Sequence, residues 1–162
     1  MDVFSKFIIL SIVSLFLSCS LLEDTDLNPI YFFECEIDGE FYRAQTNAEA
    51  FMTLSSGSPD GYSVTGQDVP NDFHVDLYLF MSLGEGKIPV KTNVNSILTS
   101  IALFKDNKSY GAAVEGGSGC VNVDLLTSNS CEGTFEGVVV ELHDETEIRH
   151  ITNGRFKVKS RN

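Results

Sequence analysis

The sequence has few basic residues and no tryptophan. Lys and Arg number 11 against 23 Asp and Glu, so the formal net charge at pH 7 is −12. A surplus of negative charge of this size argues against nucleic acid and against anionic membrane surfaces as partners. Because acidity also serves solubility, it does not by itself indicate a substrate class.

Long apolar runs are also scarce, with one exception close to the N-terminus. Residues 7–17 read FIILSIVSLFL and contain no charged side chain. A transmembrane helix needs roughly 18 or more such residues, whereas the core of a signal peptide needs roughly 7 to 15. The run therefore predicts a cleaved signal peptide over residues 1–18 and no membrane-spanning helix.

The residues that follow this run, Phe16-Leu17-Ser18-Cys19, resemble the bacterial lipobox. In that motif the cysteine thiol is acylated and the cysteine becomes the mature N-terminus, which implies lipidation of Cys19. Two or more acyl chains hold a protein stably on a membrane, whereas a single chain holds it only marginally. The alternative is a general secretory signal cleaved elsewhere, but the small-residue cleavage site that such a signal needs is missing nearby.

The segment after the lipobox is acidic and has no sustained hydrophobic period, so residues 19–30 are predicted to form a flexible tether. Ser20, rather than aspartate, follows the cysteine, which resembles the sorting signal of lipoproteins in the bacterial outer membrane. We therefore expect a chain held at the outer membrane of the cell envelope by its lipid anchor, facing either the periplasm or the cell surface. Residues 31–162 have a length that suits one folded domain.

From Tyr31 onward the sequence favours β-structure. In residues 74–81 (HVDLYLFM) the aliphatic side chains occupy every second position, which is the period of a strand. Comparable patterns predict further strands at Phe32–Ile37, Phe41–Gln45, Tyr62–Gln67, Leu98–Phe104, Cys120–Leu125, Thr134–Leu142 and Arg155–Lys159. Many short strands separated by turn residues indicate an all-β, antiparallel sandwich or flattened barrel of about 8–10 strands. Residues 46–54 are the exception, since they could form a short helix capped by Asn47.

Two dipeptides have the composition of hairpin turns. Asp38-Gly39 is predicted to join the first two strands through a three-residue loop, which would place Ile37 opposite Phe41. Asn153-Gly154 is predicted to be the turn of a second hairpin, between residues 147–151 and 155–159. Large side chains on the inward faces would fill a small β domain: Phe33, Ile37, Leu77, Leu79, Phe135 and Phe156.

Three segments occur in a characteristic order, FECEIDG at 33–39, EGTF at 132–135 and ITNGRF at 151–156. Behind a lipobox, this ordered set resembles a family of Bacteroidetes-type lipoproteins with a domain of unknown function. Its members open with an F-x-A/C-x-I/V-x-G strand and turn, and they close with a G-T-F strand and an I-T-N-G-x-F hairpin. The resemblance covers most of residues 31–159 and implies a compact β domain. It brings no catalytic residues, and the acidic residues 141–147 depart from the pattern.

With Cys19 lipidated, three cysteines remain in an oxidising compartment, where disulfides persist. Cys120 and Cys131 flank the turn around Ser128-Asn129, so they are a possible disulfide if this region forms a loop. A regular hairpin centred near residue 128 would instead place Cys120 opposite a residue near Glu136, too far from Cys131 for a bridge. A bridge to Cys35 and three buried thiols are the alternatives. Without a C-x-x-C pair, thiol catalysis is not predicted.

Neither the histidines nor the acidic clusters have the spacing of a metal site, so no metal ligand is predicted. His74 shares a strand face with Asp76, which a polar, solvent-facing side explains. His143 and His150 enclose acidic residues that we expect to form a solvated loop. Residues 68–72 lack the glycine and the distal glutamate of an EF-hand.

Sequence motifs of catalysis are missing as well, since there is no G-x-S-x-G elbow, H-E-x-x-H helix or phosphate loop. Glu34, Glu36 and Asp38 could offer the paired carboxylates of a glycosidase, but their alternation along one strand indicates an outward polar face. We therefore predict no enzyme, no catalytic residue and no cofactor. Two functions remain, a non-enzymatic module that binds or assembles with an envelope protein or glycan, and a small barrel that carries an apolar ligand in its lumen.

Overall fold

The structure is a computed structural model, and it describes residues 31–44, 46, 49–54, 61–80, 84–90, 92–93, 96–97 and 99–161. The predicted signal peptide, the predicted lipidation site Cys19 and the predicted tether lie outside the described residues. Their assignment therefore stays a prediction.

The described residues form strands almost throughout. The strands are β1 (Phe32–Ile37), β2 (Glu40–Ala44), β3 (Ala50–Leu54), β4 (Gly61–Asp68), β5 (Phe73–Phe80), β6 (Gly86–Pro89), β7 (Thr92–Asn93), β8 (Ser96–Ile97), β9 (Thr99–Lys105), β10 (Lys108–Gly111), β11 (Ser118–Leu126), β12 (Ser130–Glu141) and β13 (Ile148–Ser160). One 3-10 turn, Val69–Asn71, lies between β4 and β5.

Eleven of these strands build one sheet in the order β2-β1-β13-β3-β4-β5-β9-β10-β12-β11-β6, and β7 and β8 pair separately. Because β13 also pairs with β12, the strands from β13 through β3, β4, β5, β9, β10 and β12 form a closed ring. The described pairings are antiparallel except for β13 with β3. The all-β prediction is confirmed, and the closed sheet fits a sandwich or flattened barrel.

The C-terminal strand β13 holds the closed sheet together. One of its edges pairs with β1 and then, at Lys159 and Ser160, with β3. Its other edge pairs with β12 from Ile148 to Lys159. Because β13 has 13 residues, one edge is long enough to pair first with β1 and then with β3. Together with the pairing to β12 on the other edge, this closes the sheet into a ring.

Large apolar side chains fill the interior. Phe33 is fully buried, and its ring centroid lies 4.9 Å from that of Phe135, 6.4 Å from that of Phe156 and 6.5 Å from that of Phe73. The six side chains predicted to point inward are all buried, which confirms the face assignments: Phe33, Ile37, Leu77, Leu79, Phe135 and Phe156.

The predicted helix at residues 46–54 is wrong. Ala50–Leu54 is the strand β3, which pairs with β4 so that Met52 lies opposite Val64. Ala50 and Met52 are buried and alternate with less buried neighbours. Packing against β4 decides the conformation here, since strand preference depends strongly on neighbouring strands.

The predicted three-residue loop between β1 and β2 is also wrong. Ile37 pairs with Glu40, so the loop contains only Asp38 and Gly39. Both residues have positive φ, 52° and 86°. This is the backbone of a two-residue turn whose twist matches that of the flanking strands.

The predicted hairpin turn at Asn153-Gly154 does not exist, because both residues lie within the continuous strand β13. The register of β13 shifts there against β12, between Phe135 and Gly137, and also against β1. Asn153 has a φ of 53°. The dipeptide therefore forms a β-bulge, in which a positive φ bends the strand without reversing it.

Candidate functional site

An open cavity of about 730 Å³ lies on the outer face of β2, β1, β13, β12, β11 and β6. We call it the outer cleft. On β1 and β11 the lining residues alternate with buried residues such as Cys35 and Val121, which face the core. On β12 and β13 the lining residues are consecutive around the bulge, and the buried Phe135 is among them. The lining residues are Glu34, Glu36, Phe41, Lys87, Cys120, Asn122, Thr134, Phe135, Glu136, Asn153, Gly154 and Arg155.

A row of polar side chains crosses the outer cleft at right angles to the strands and continues beyond its lining to Arg43. Each member pairs across strands with the next, in the order Lys87, Asn122, Thr134, Arg155, Glu34 and Arg43. Neighbouring strands lie about 4.8 Å apart, so a row over six strands spans roughly 24 Å. The row offers amide, hydroxyl and charged groups to a ligand that is extended across the sheet.

Glu34 is the buried member of this row, with only 4% of its surface exposed. Its Oε1 accepts two hydrogen bonds from Arg155, one of them from Nε at 2.8 Å. Its Oε2 lies 3.3 Å from Nε of Arg43. Both guanidinium groups also lie 5.9 Å from the centroid of the Phe32 ring. The carboxylate is therefore engaged by two cations, which suits positioning Arg155 and does not suit general acid catalysis.

The bulge in β13 lies at the floor of the outer cleft. Asn153, which is exposed, and Gly154 both line the cavity. A Cβ atom at Gly154 would lie 2.5 Å from the carbonyl oxygen of Phe135 and 2.6 Å from its ring, so only glycine fits. Bulges concentrate beside functional sites, where they redirect a side chain. Here the bulge brings Asn153 into the lining of the cavity.

Cys120 is the one cysteine in the lining, and its Sγ lies 3.6 Å from Oε1 of Glu136. Partial burial raises the pKa of this thiol, Lys87 lowers it and Glu136 raises it, with a net increase. Burial raises the pKa of Cys35 and of Cys131 to about 12. Thiols with raised pKa are mostly protonated near neutral pH and are poor nucleophiles.

The predicted disulfide between Cys120 and Cys131 is not formed, and all three described cysteines are free. Cys120 pairs with Glu136, which confirms the position expected for a hairpin, and Cys131 pairs with Leu126. A bulge shifts the register between Val123 and Leu125. Cys131 lies five residues from Glu136 along β12, roughly 16 Å at about 3.3 Å per residue. A disulfide needs Cα atoms within about 7 Å.

The histidines do not meet in one place. His74 lies 3.0 Å from Asp76 on the outer face of β5, which confirms their shared face. His143 is exposed in the acidic turn before β13, and His150 is exposed within β13 itself. Among the residues that the structure describes, no group of three or more His, Cys, Asp and Glu side chains could hold a metal ion.

Sequence patterns identified Glu34 and Glu36 as outward-facing and Cys120 as lying opposite Glu136, but they did not identify the outer cleft. Lys87 was missed because β6 is only four residues long. Asn122 and Thr134 have no distinguishing signal, since each is an ordinary polar residue on an outward face. A pattern-based prediction of which strands are neighbours would have been needed to bring them together.

Among the described residues, none forms a helix with the length and apolar character that crossing a membrane requires. Comparison of the chain with protein-family models, with curated proteins and with solved structures found no match.

Proposed function

We propose that this chain is a lipid-anchored module of the bacterial cell envelope, attached to the outer membrane through Cys19, that binds a polar ligand in the outer cleft without transforming it. The ligand is a segment of an envelope glycan or of an envelope protein. The observation that carries the proposal is the row of polar side chains across six strands, built around the bulge at Asn153.

The filled interior favours a surface site over a carrier of apolar ligands. Phe33, Phe135 and Phe156 occupy the space between the strands, with ring centroids no more than 6.4 Å apart. A lumen for an apolar ligand would need small side chains at these positions. The outer cleft, by contrast, is open and is lined by groups that form hydrogen bonds.

The contacts of the Glu34 carboxylate support binding over catalysis. Glu34 is held by Arg155 and Arg43, so its carboxylate charge is already paired with two cations and positions Arg155 for a ligand. The net charge of −12 also disfavours electrostatic adsorption to anionic lipid. Membrane attachment then depends on the lipid at Cys19.

The anchor is tested by fractionating cells that produce Cys19→Ala, with Cys120→Ala as the matched control. We expect Cys19→Ala to leave the membrane fraction and Cys120→Ala to stay there. An intact mass spectrum of the membrane-extracted protein should show a chain that begins at Cys19 with added lipid. A chain that begins at Met1, or one cut elsewhere without lipid, would contradict the anchor.

The binding site is tested by native mass spectrometry of the same extracts. Thr134→Arg places a long cation in the middle of the outer cleft, whereas Ser118→Arg places it outside the lining on the neighbouring strand β11. We expect a bound species that persists in Ser118→Arg and is lost in Thr134→Arg. Equal binding by the two variants, or release of a chemically changed ligand, would count against the proposal.

A further inference from the structure

A second cavity, of about 500 Å³, lies on the opposite side of the ring, on the outer face of β4, β5 and β9. It is lined by Ser63, Asp76, Tyr78, Phe80, Ser100 and Ala102. Tyr78 and Phe80 are both half-buried, and their rings meet edge to face with centroids 5.3 Å apart. None of these residues lines the outer cleft.

The strands on either side of β5 place small residues beside this aromatic pair. Tyr78 lies between Ser63 on β4 and Ser100 on β9, and Phe80 lies opposite Gly61. Aromatic residues in sheets usually gain stability from large cross-strand neighbours. With serine and glycine in those places, two shallow lanes run beside the rings of Tyr78 and Phe80.

Asp76 closes one end of the cavity with a carboxylate in a fixed orientation. Its Oδ1 accepts a hydrogen bond of 2.5 Å from Thr65 Oγ1 and a longer one of 3.5 Å from Ser63 Oγ. Its Oδ2 lies 3.0 Å from Nε2 of His74. Two carboxylate oxygens offer about four acceptor positions, so a ligand hydroxyl can still donate to Asp76, whose side chain is 31% exposed.

We propose that this face is a binding site for neutral sugars, in which a pyranose ring stacks on Tyr78, with Phe80 beside it, while its hydroxyl groups donate to Asp76 and exchange hydrogen bonds with Ser63 and Ser100. A pyranose has an apolar C–H face and a rim of hydroxyl donors and acceptors, and the cavity supplies the complement of each. The inference does not depend on what the outer cleft binds.

The charges in and around the cavity select against ionic ligands. Asp76 and the net charge of −12 repel anions. A ligand cation would compete for the charge of the Asp76 carboxylate with His74, whose Nε2 lies 3.0 Å from Oδ2 of Asp76. An uncharged polyol meets neither obstacle.

The test uses the mature, full-length chain labelled with ¹⁵N and titrated with neutral hexasaccharides of glucose, mannose, galactose and N-acetylglucosamine. We expect at least one of them to shift backbone resonances of β4, β5 and β9. Tyr78→Ser should weaken that binding at least tenfold. The matched control is Phe104→Ser, which removes an exposed ring from the same face outside the cavity and should leave the affinity within twofold.

Ser100→Arg is a second variant that fills a lane without removing a ring, and it should also abolish binding. Thr134→Arg in the outer cleft should leave these shifts unchanged, so failure here and failure of the proposed function are distinguishable. The inference is overturned if none of the hexasaccharides shifts these strands, if Phe104→Ser weakens binding as much as Tyr78→Ser, or if tetramethylammonium binds here more tightly than every sugar.

Discussion

Asp38 accepts a hydrogen bond of 2.9 Å from the backbone N–H of His150, which lies 112 residues later in the chain. The same carboxylate pairs with Arg149 at 3.0 Å, and the N–H of Asp38 donates to the carbonyl of His150 at 2.9 Å. The β1–β2 turn is thereby tied to the start of β13. Arg149 continues the contact to Glu147, at 3.2 Å.

The first prediction concerns acid stability. Lys108 and Tyr110 donate hydrogen bonds to Glu147 and lower its pKa from 4.5 to about 2. For Asp38, burial raises the pKa, but hydrogen bonds from His150 and Arg149 outweigh it and lower the pKa overall. A carboxylate with a lower pKa in the folded than in the unfolded chain stabilises the fold above its ordinary pKa, and this stabilisation is lost as the pH falls towards the folded value. We therefore expect the Tm to fall between about pH 5 and pH 2.

Thermal unfolding followed by circular dichroism at several pH values checks this expectation. Glu147→Gln should be less stable than the parent at pH 6 and should lose less stability on acidification. Glu145→Gln is the control, because Glu145 is an exposed carboxylate in the same turn. An acid dependence in Glu147→Gln as steep as in the parent chain would show that this network does not govern acid stability.

The second prediction concerns the two arginines on Glu34. Arg43→Gln or Arg155→Gln alone should cost about 1 kcal/mol or less, since the other guanidinium stays in place and Arg155 is 63% exposed. The double variant leaves the buried carboxylate without a cation, so its cost should exceed the sum of the single costs by about 1–3 kcal/mol. Urea unfolding at pH 7 gives the free energies of unfolding of the two single variants and of the double variant.

The control is Lys157→Gln, which breaks an exposed pair with Glu132 on the same face and should change stability by less than about 0.5 kcal/mol. Strict additivity of the two arginine variants would contradict this account of Glu34.

The third prediction concerns Gly66, where β4 passes the ring of Phe33. A Cβ atom at this position would lie 2.1 Å from Cδ1 of Phe33, a fully buried ring without room to move. Gly66→Ala should therefore cost about 1–3 kcal/mol through overpacking. Gly111→Ala is the matched control in a strand, because its Cβ would meet Leu142 at an ordinary 3.4 Å. Urea unfolding should give a change of less than about 1 kcal/mol for Gly111→Ala. Equal effects of the two substitutions would mean that the contact with Phe33 is not the cause.

The fourth prediction concerns the number of thiols that react with a maleimide. Of the three cysteines that the structure describes, only Cys120, which is half-buried, should react with a maleimide in the folded chain, because Cys35 and Cys131 are buried. A variant with Cys19→Ser should show one reactive thiol when folded and three when unfolded in urea without reductant. Cys120→Ala should abolish the reaction of the folded chain. A single reactive thiol after unfolding would instead indicate a disulfide, and mass mapping would identify its partners.

Much of the strand pattern follows from alternation alone. The predicted strand Phe32–Ile37 agrees with β1 residue for residue, and Tyr62–Gln67 lies within β4. The inward residues were also predictable, since a strand with one buried face must place apolar side chains at every second position. The short strands β6 and β10 were missed, because four residues hold too few alternations to rise above chance.

The candidate site was much less accessible to prediction. Asn153-Gly154 has the composition of a hairpin turn, yet it forms a bulge in β13 beside the outer cleft. A positive φ at asparagine suits either structure. The choice depends on whether the flanking segments pair with each other or with third strands, and here they pair with β1 and β12.

The sequence by itself therefore determined properties that depend on nearest neighbours: the alternation of the longer strands, the six inward side chains named above and the turn-forming residues Asp38, Gly39 and Asn153, which have positive φ. Only the tertiary structure decided which strands lie side by side, and with that the outer cleft, the two arginines on Glu34 and the distance between Cys120 and Cys131. The physical reason is that pairing between distant strands is set by how all the buried faces pack together at once. A local sequence pattern does not contain this information about the packing of distant strands.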